Sequence, residues 1–334
     1  MPLPISLIID DGSPMNLMYW LRPDERHVHL FPNSFIRDFA DTCDRHGATG
    51  KFTILPMPAA LGRIDRGLNH VHKAHLDGYL DVLRKRILPR WDITIEFLTH
   101  DVALDVKTGK YLREFEDHWA SRATAEEMTE YFALALRILK NVGLPANGVT
   151  SPWVAGIDNE LRYAQAVACA QWRVHRRRFS WYFLHCLGRR QPRWPWVAWR
   201  SAKAGLTCVT VPANTDDMFW HTATAPSARH ARRAALAGVD QMLSKDGRHG
   251  RVREIFDARV PILLLTHWQS LFSEGRCAGL WGLDKLLARI EKVFGQNLEW
   301  MTCSRLARMA VARGPAINRS GLLAGGHEGP TGER

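Results

Sequence analysis

The chain lacks any cysteine pairing signal. Its six cysteines, Cys43, Cys169, Cys186, Cys208, Cys277 and Cys303, stand singly, with no Cys-x-x-Cys spacing. That excludes a zinc knuckle or a disulfide framework as the organising device and leaves reduced core thiols as the expectation. Long apolar runs are also missing. Val260 to Thr266 is among the longest, far below the roughly 20 residues of a membrane-spanning helix, so no membrane partner is expected. No repeat of fixed period occurs. No basic segment followed by an apolar stretch and a small-residue cleavage site opens the sequence, which sets a cytoplasmic location as the expectation.

What is present favours a large packed core: 334 residues, 46% hydrophobic, with 13 tryptophans. Barrels of α/β type commonly reach this size as one unit. One domain over 1–313 is expected, followed by a Gly-rich tail, 314–334, without apolar periodicity and expected to be disordered. The formal charge is +11. Much of it lies in Arg173, Arg176, Arg177, Arg178, Arg189, Arg190, Arg193 and Arg200, interleaved with Trp172, Trp181, Trp194, Trp196 and Trp199. Such a segment either grips an anionic polymer or is a solvated basic surface over core tryptophans. No helix-turn-helix, zinc-finger or RNA-binding signature accompanies it, so nucleic acid is not the expected partner.

Strand-like and helix-like runs alternate along most of the chain, the pattern of a parallel sheet or barrel with crossover helices. Strands are expected at Ile5 to Asp10, Lys51 to Pro56, Ile93 to Thr99, Gly148 to Ser151, Phe179 to His185, Val197 to Arg200, Thr207 to Val211 and Val260 to Leu265. Helices are expected near 33–46, 69–88, 124–142, 159–172, 227–243, 280–294 and 304–313. Thr124-Ala125-Glu126-Glu127 has the form of a capping box.

In such folds ligands bind beyond the carboxyl ends of the strands. Asp10 and Asp11 end the first strand, His100 and Asp101 the third, His185 a middle one and His267 the last. Several separate strands thus deliver acids or imidazoles to one rim. Adjacent buried carboxylates at a strand end need a cationic partner, whether metal, histidine or arginine.

With these residues in hand, the chain resembles the polysaccharide deacetylases, the NodB-homology or family 4 carbohydrate esterases. Ile8-Ile9-Asp10-Asp11-Gly12 matches their first motif, Ile95 to Asp101 resembles the second, and Leu264-Leu265-Thr266-His267 is similar to the last. Glu299 to Leu306 resembles the closing strand and helix. The resemblance implies a distorted (β/α)7 barrel, with Asp10 as catalytic base, Asp11 and His100 as metal ligands and His267 as general acid. Two positions depart from the pattern. The second motif is normally His-x-x-x-His, but Leu104 stands four after His100; the third is normally Arg-x-Pro-aromatic, but Thr150-Ser151-Pro152-Trp153 has no arginine.

A zinc-type hydrolytic site needs about three protein ligands and an open position for water. Candidates for the third ligand are His185, Asp101, Asp105 and His72, the last near His70 and His75 on a helix whose apolar face turns inward. Trp153, Pro152, Trp268 and Trp220 are candidate walls for a substrate, and Asp216 and Asp217 are weaker rim candidates. The leading expectation is a divalent-metal hydrolase, with zinc, acting on an N- or O-acyl carbohydrate or acyl-amino sugar, neutral or anionic. Glycoside hydrolysis and non-catalytic carbohydrate binding on the same barrel remain open.

Overall fold

The computed structural model describes residues 2–16, 30–185 and 191–313. One nine-stranded sheet organises them. Its strands are β1 (Leu3–Asp10), β2 (Gly50–Ile54), β3 (Asp92–Glu96), β4 (Gly148–Thr150), β5 (Phe179–Leu184), β6 (Trp196–Ser201), β7 (Leu206–Pro212), β8 (Ile262–His267) and β9 (Leu298–Trp300). The spatial order is β6-β7-β5-β4-β3-β2-β1-β8, with β9 beside the start of β1. All pairings are parallel except β6 with β7. Register sets Asp10 beside His267 and Glu96 beside Thr150, so the strand ends share one rim.

Side-chain alternation sorts the strands onto two faces. Leu7, Ile9, Phe52, Ile54, Ile93, Ile95, Val149 and Leu264 pack outward into the main core with the helices. On the opposite, enclosed face β1, β5, β7 and β8 contribute Ile8, Trp181, Phe183, Val209, Val211, Leu263 and Leu265. The same face of β2, β3 and β4 is polar: Lys51, Thr53, Thr94, Glu96 and Thr150 are all buried there. Gly148 leaves room for the indole of Trp181, which a Cβ would meet at 2.5 Å.

No ladder joins β7 to β8 among the described residues, but the chain leaving β7 bridges them. Thr215 Oγ1 donates to Leu263 O at 2.7 Å and accepts from Leu265 N at 2.9 Å, and Asn214 Nδ2 donates to Pro261 O at 3.0 Å. The helix Cys303–Ala312 closes the amino end of the sheet and is capped by Asp92, which accepts from Ser304 N at 2.6 Å and Ser304 Oγ at 2.8 Å.

The expected helices at 33–46, 124–142, 159–172, 227–243, 280–294 and 304–313 form within a few residues of those limits, and the Thr124 capping box is made. Two segments differ. The helix expected from Asn69 starts at Lys73 and ends in a wider turn over Leu83–Ile87. The strand expected to reach Thr99 stops at Glu96, where Phe97 adopts φ 49° and the chain turns.

Several members of the Arg/Trp segment have structural contacts. Trp181 lies inside the sheet, Trp196 Nε1 donates to Glu160 at 2.7 Å, Arg173 pairs with Glu126 and Glu130, and Arg178 covers the Trp172 ring. Cys186, Arg189, Arg190 and the tail from 314 lie outside the described residues.

Candidate active site

Asp11 leaves β1 in a left-handed conformation, φ 61°, and its carboxylate belongs to a different donor group from that of Asp10. Gly12 follows because a Cβ there would meet Thr53 O at 2.0 Å. Asp11, Glu96 and His100 present ligand-capable atoms that all lie within 4.8 Å of one another, and all three residues are buried. His100 Nε2 is 2.9 Å from Asp11 Oδ1 and 3.5 Å from Glu96 Oε1. Gln269 Nε2 donates to Asp11 Oδ2 at 2.8 Å, and Asp11 N donates to Glu96 Oε2 at 3.1 Å.

The charges here are strongly interdependent. Burial pushes the Asp11 carboxyl up, but His100, His267 and the Gln269 bond outweigh it and hold Asp11 well below the usual carboxylate range. Glu96 is raised by burial and by the neighbouring charges of Asp11 and Asp10. Burial lowers His100, yet the two carboxylates carry it well above its ordinary value. Two carboxylates and one imidazole converging in a buried site form a donor set suited to a divalent cation, whose charge would replace the proton on His100. Asp11 Oδ1 has His100 Nε2 as its partner, so both sides of that contact are donors a cation would bring together.

Beside this group a second one gathers Asp10, His185 and His267 within the same span. Asp10 differs from Asp11 in having a built-in cation. Lys51, wholly buried, bonds Asp10 Oδ1 and also donates to Thr53 Oγ1 and Thr150 Oγ1, both at 2.7 Å, with the Phe183 ring 4.6 Å away. Asp10 Oδ2 is buried and makes no hydrogen bond. With Oδ1 bonded to an ammonium, Asp10 has only Oδ2 left for another partner.

His267 is backed by Asp217, whose Oδ2 lies 2.7 Å from His267 Nδ1 and also accepts from Ser270 Oγ at 2.6 Å. Phe219 N donates to the other oxygen at 2.8 Å. Burial alone would lower His267, but the Asp217 bond and charge, with Asp11 and Asp10, raise it to about 10. Asp217 itself is held low against burial by His267 and Ser270. The Asp217 contact thus favours the protonated form of His267.

Sequence-expected residues divide sharply. Asp10, Asp11, His100, His185 and His267 come together. Trp153 stands over them, its ring 4.3 Å from that of His100, with Phe115 beyond at 5.9 Å; Trp220 is partly exposed and 5.6 Å from His267. Pro152 is buried and its carbonyl takes Ala155 N in the turn that carries Trp153.

Several expectations are corrected. His72 is exposed and accepts from Ala74 N to cap its helix instead of pointing inward. Asp105 orders a hairpin turn through Lys107 N and Thr108. Asp101 belongs to neither donor group, and its carbonyl accepts from Glu116 N. Trp268 is no substrate wall: it is fully buried against Phe35, Phe39 and Phe52, with ring centroids 4.5 to 5.4 Å apart. Asp217 supports His267 instead of lining the rim.

Glu96, Lys51 and Gln269 were not anticipated. Charged residues at inward positions of the apolar strands β2 and β3 were the available signal for the first two.

No family model matches the chain, and no curated protein matches it. Among solved structures it aligns with a mutant of BA3943, described as a CE4 family pseudoenzyme with restored enzymatic activity. The identity is 9% and the TM-score 0.40, over 92% of this chain and 68% of that one.

Proposed function

We propose that the protein is a divalent-metal-dependent hydrolase that removes an acyl group from an N- or O-acylated carbohydrate, on a distorted (β/α)7 barrel whose seven strands are the parallel set β7, β5, β4, β3, β2, β1 and β8 of the larger sheet. The observation that carries this is the buried convergence of Asp11, Glu96 and His100 immediately beside Asp10, with the Asp217-backed His267 across from it. Asp11, Glu96 and His100 would hold the metal, zinc being the first choice, and Glu96 supplies the third donor that Leu104 cannot. A cation held there supplies Lewis acidity toward an acyl carbonyl and lowers the pKa of water.

The chain's own residues divide the proton work. Asp10 accepts a proton from the attacking water through Oδ2, while Lys51 fixes its other oxygen, the service that an arginine performs in the resembled family. His267, protonated by its surroundings, donates to the departing amine or alcohol. Acid and base are thus separate groups with opposite environments. Trp153 and Trp220 are placed to flank a sugar ring, an apolar surface of the kind aromatic side chains cover well.

Glycoside hydrolysis instead requires two carboxyls facing each other across a sugar, about 5 to 10 Å apart. Here Asp11 and Glu96 share one donor group with His100, and Asp10 is bonded to Lys51, which favours acyl transfer. The deciding measurement is zinc content and affinity, followed by acetate release from acetylated chito- and xylo-oligosaccharides. Absence of stoichiometric binding of zinc, cobalt, nickel or iron would sink the hydrolase assignment and leave a carbohydrate-binding relative.

A further inference from the structure

The chain leaves β3 after Glu96, turns through Phe97 to Asp101, makes an antiparallel hairpin of Val102–Asp105 and Lys110–Phe115, and returns to a short helix, Glu116–Arg122. Glu116, the first residue of that helix, is fully buried and takes no part in the proton transfers above. Its carboxylate turns back onto the stretch before the hairpin. Oε1 accepts from Leu98 N at 3.0 Å and Thr99 N at 2.9 Å, and Oε2 accepts from His100 N at 2.8 Å. Tyr131 Oη donates to Oε1 at 2.6 Å, and Glu116 N donates to Asp101 O at 3.0 Å.

Three successive amides thus close on one carboxylate, with left-handed residues at both ends of the turn, Phe97 at φ 49° and His100 at φ 55°. Positive φ is uncommon for non-glycine residues, more so for phenylalanine than for histidine. His100 therefore does not inherit its direction from the strand, which has ended four residues earlier. Its backbone is set by Glu116, across the base of the hairpin.

We infer that Glu116 is a positioning residue for the metal-binding turn: by clamping the amides of Leu98, Thr99 and His100 it holds His100 Nε2 toward Asp11 and Glu96. This rests on the metal assignment made above. The clamp also ties the hairpin, and with it Phe115 against Trp153, to the geometry of the donor group. Outer partners that fix a ligand's orientation typically change metal affinity by about 10- to 100-fold when removed.

The test uses the full chain and Zn²⁺ itself, in competition with a chromophoric chelator at neutral pH, alongside thermal melts of the metal-free protein. Glu116→Gln puts an amide NH2 where donors already point and is expected to weaken zinc binding by about 10- to 100-fold. Should that variant fail to fold, Glu116→Asp, which keeps the charge but cannot reach all three amides, is expected to bind about tenfold more weakly. Asp92→Asn is the control, because Asp92 is a buried carboxylate at the opposite end of the sheet. It should lower the melting temperature and leave zinc affinity unchanged. Unaltered affinity in a folded Glu116 variant, or an equal loss in Asp92→Asn, would overturn the role of Glu116 while the metal assignment stands. Failure of the wild-type chain to bind zinc would overturn both.

Discussion

His267 Nδ1 sits 2.7 Å from Asp217 Oδ2, so the imidazole at the end of β8 is oriented and charged by a residue on the loop after β7. Because His267 is raised from 6.5 to about 10, its contribution to stability is fully present below pH 6.5 and is lost as pH rises through about 10. Asp217 is lowered from 3.8, and its contribution is present above that value. In metal-free protein Asp217→Asn should therefore destabilise most between roughly pH 4 and 6.5, by on the order of 3 kcal/mol. The gap to wild type should close near pH 10. Urea unfolding at pH 5.5, 8 and 10.5 measures it, and a gap that is constant with pH would rule out the charged pair. Deacetylation by the same variant should fall by about 10²-fold or more, as for loss of a general acid.

Asp11 and Glu96 raise His100 well above its ordinary value, so a metal bound there would compete with its proton. Zinc binding near neutral pH should release protons, and calorimetry in buffers of different ionisation enthalpy will show a buffer-dependent heat. Glu96→Gln, Asp11→Asn and His100→Ala should each reduce zinc affinity by at least tenfold, whereas His72→Ala and Asp105→Asn should leave it unchanged. A Glu96→Gln variant with wild-type affinity would remove Glu96 from the ligand set.

Lys51 and Asp10 neutralise each other where neither reaches water. Removing one partner leaves a buried uncompensated charge, so Lys51→Met should cost roughly 3–5 kcal/mol. Replacing both, as Lys51→Met with Asp10→Asn, should recover much of that loss while activity stays abolished. Chemical denaturation of the four members of this cycle gives the coupling, and independence of the two substitutions would disprove it.

The sheet and its rim were legible because the strands are short apolar runs ending on acids or histidines, and a parallel sheet places those ends together. Asp10 and His267 lie at strand ends as that rule expects, whereas the rule reaches His100 only if its strand runs to Thr99; the strand stops at Glu96, and a turn carries His100 to the rim. Lys51 and Glu96 lie inside strands, and a strand face is assigned only once its neighbours are known: the polar interior of β2 to β4 becomes visible when Thr53, Thr94 and Thr150 are found within hydrogen-bond distance of one another. Asp217 and Glu116 act across 50 and 16 residues of chain on His267 and His100 respectively. No local pattern encodes such closures. No arginine stands just before Pro152, and the cation that contacts Asp10 is Lys51, from β2.

Two tryptophans that look equivalent in sequence, Trp153 and Trp268, should separate by experiment. Trp268 is enclosed by Phe31, Phe35, Phe39 and Phe52 beneath the rim, and Phe272 packs on Phe31 and Phe35. Truncating a buried aromatic leaves a cavity and costs about 3–5 kcal/mol, so Trp268→Ala should lower stability by that amount. Trp153 is half-buried, holds a left-handed φ of 45° and presents its ring to His100 from the open side. Trp153→Ala should change stability by about 1 kcal/mol or less, as substitutions outside the core do, while raising KM for an acylated oligosaccharide several-fold. Thermal melts and steady-state kinetics on both variants decide the matter: a Trp153→Ala protein that melts like Trp268→Ala and retains its KM would make Trp153 a core residue and leave the carbohydrate assignment without its aromatic wall.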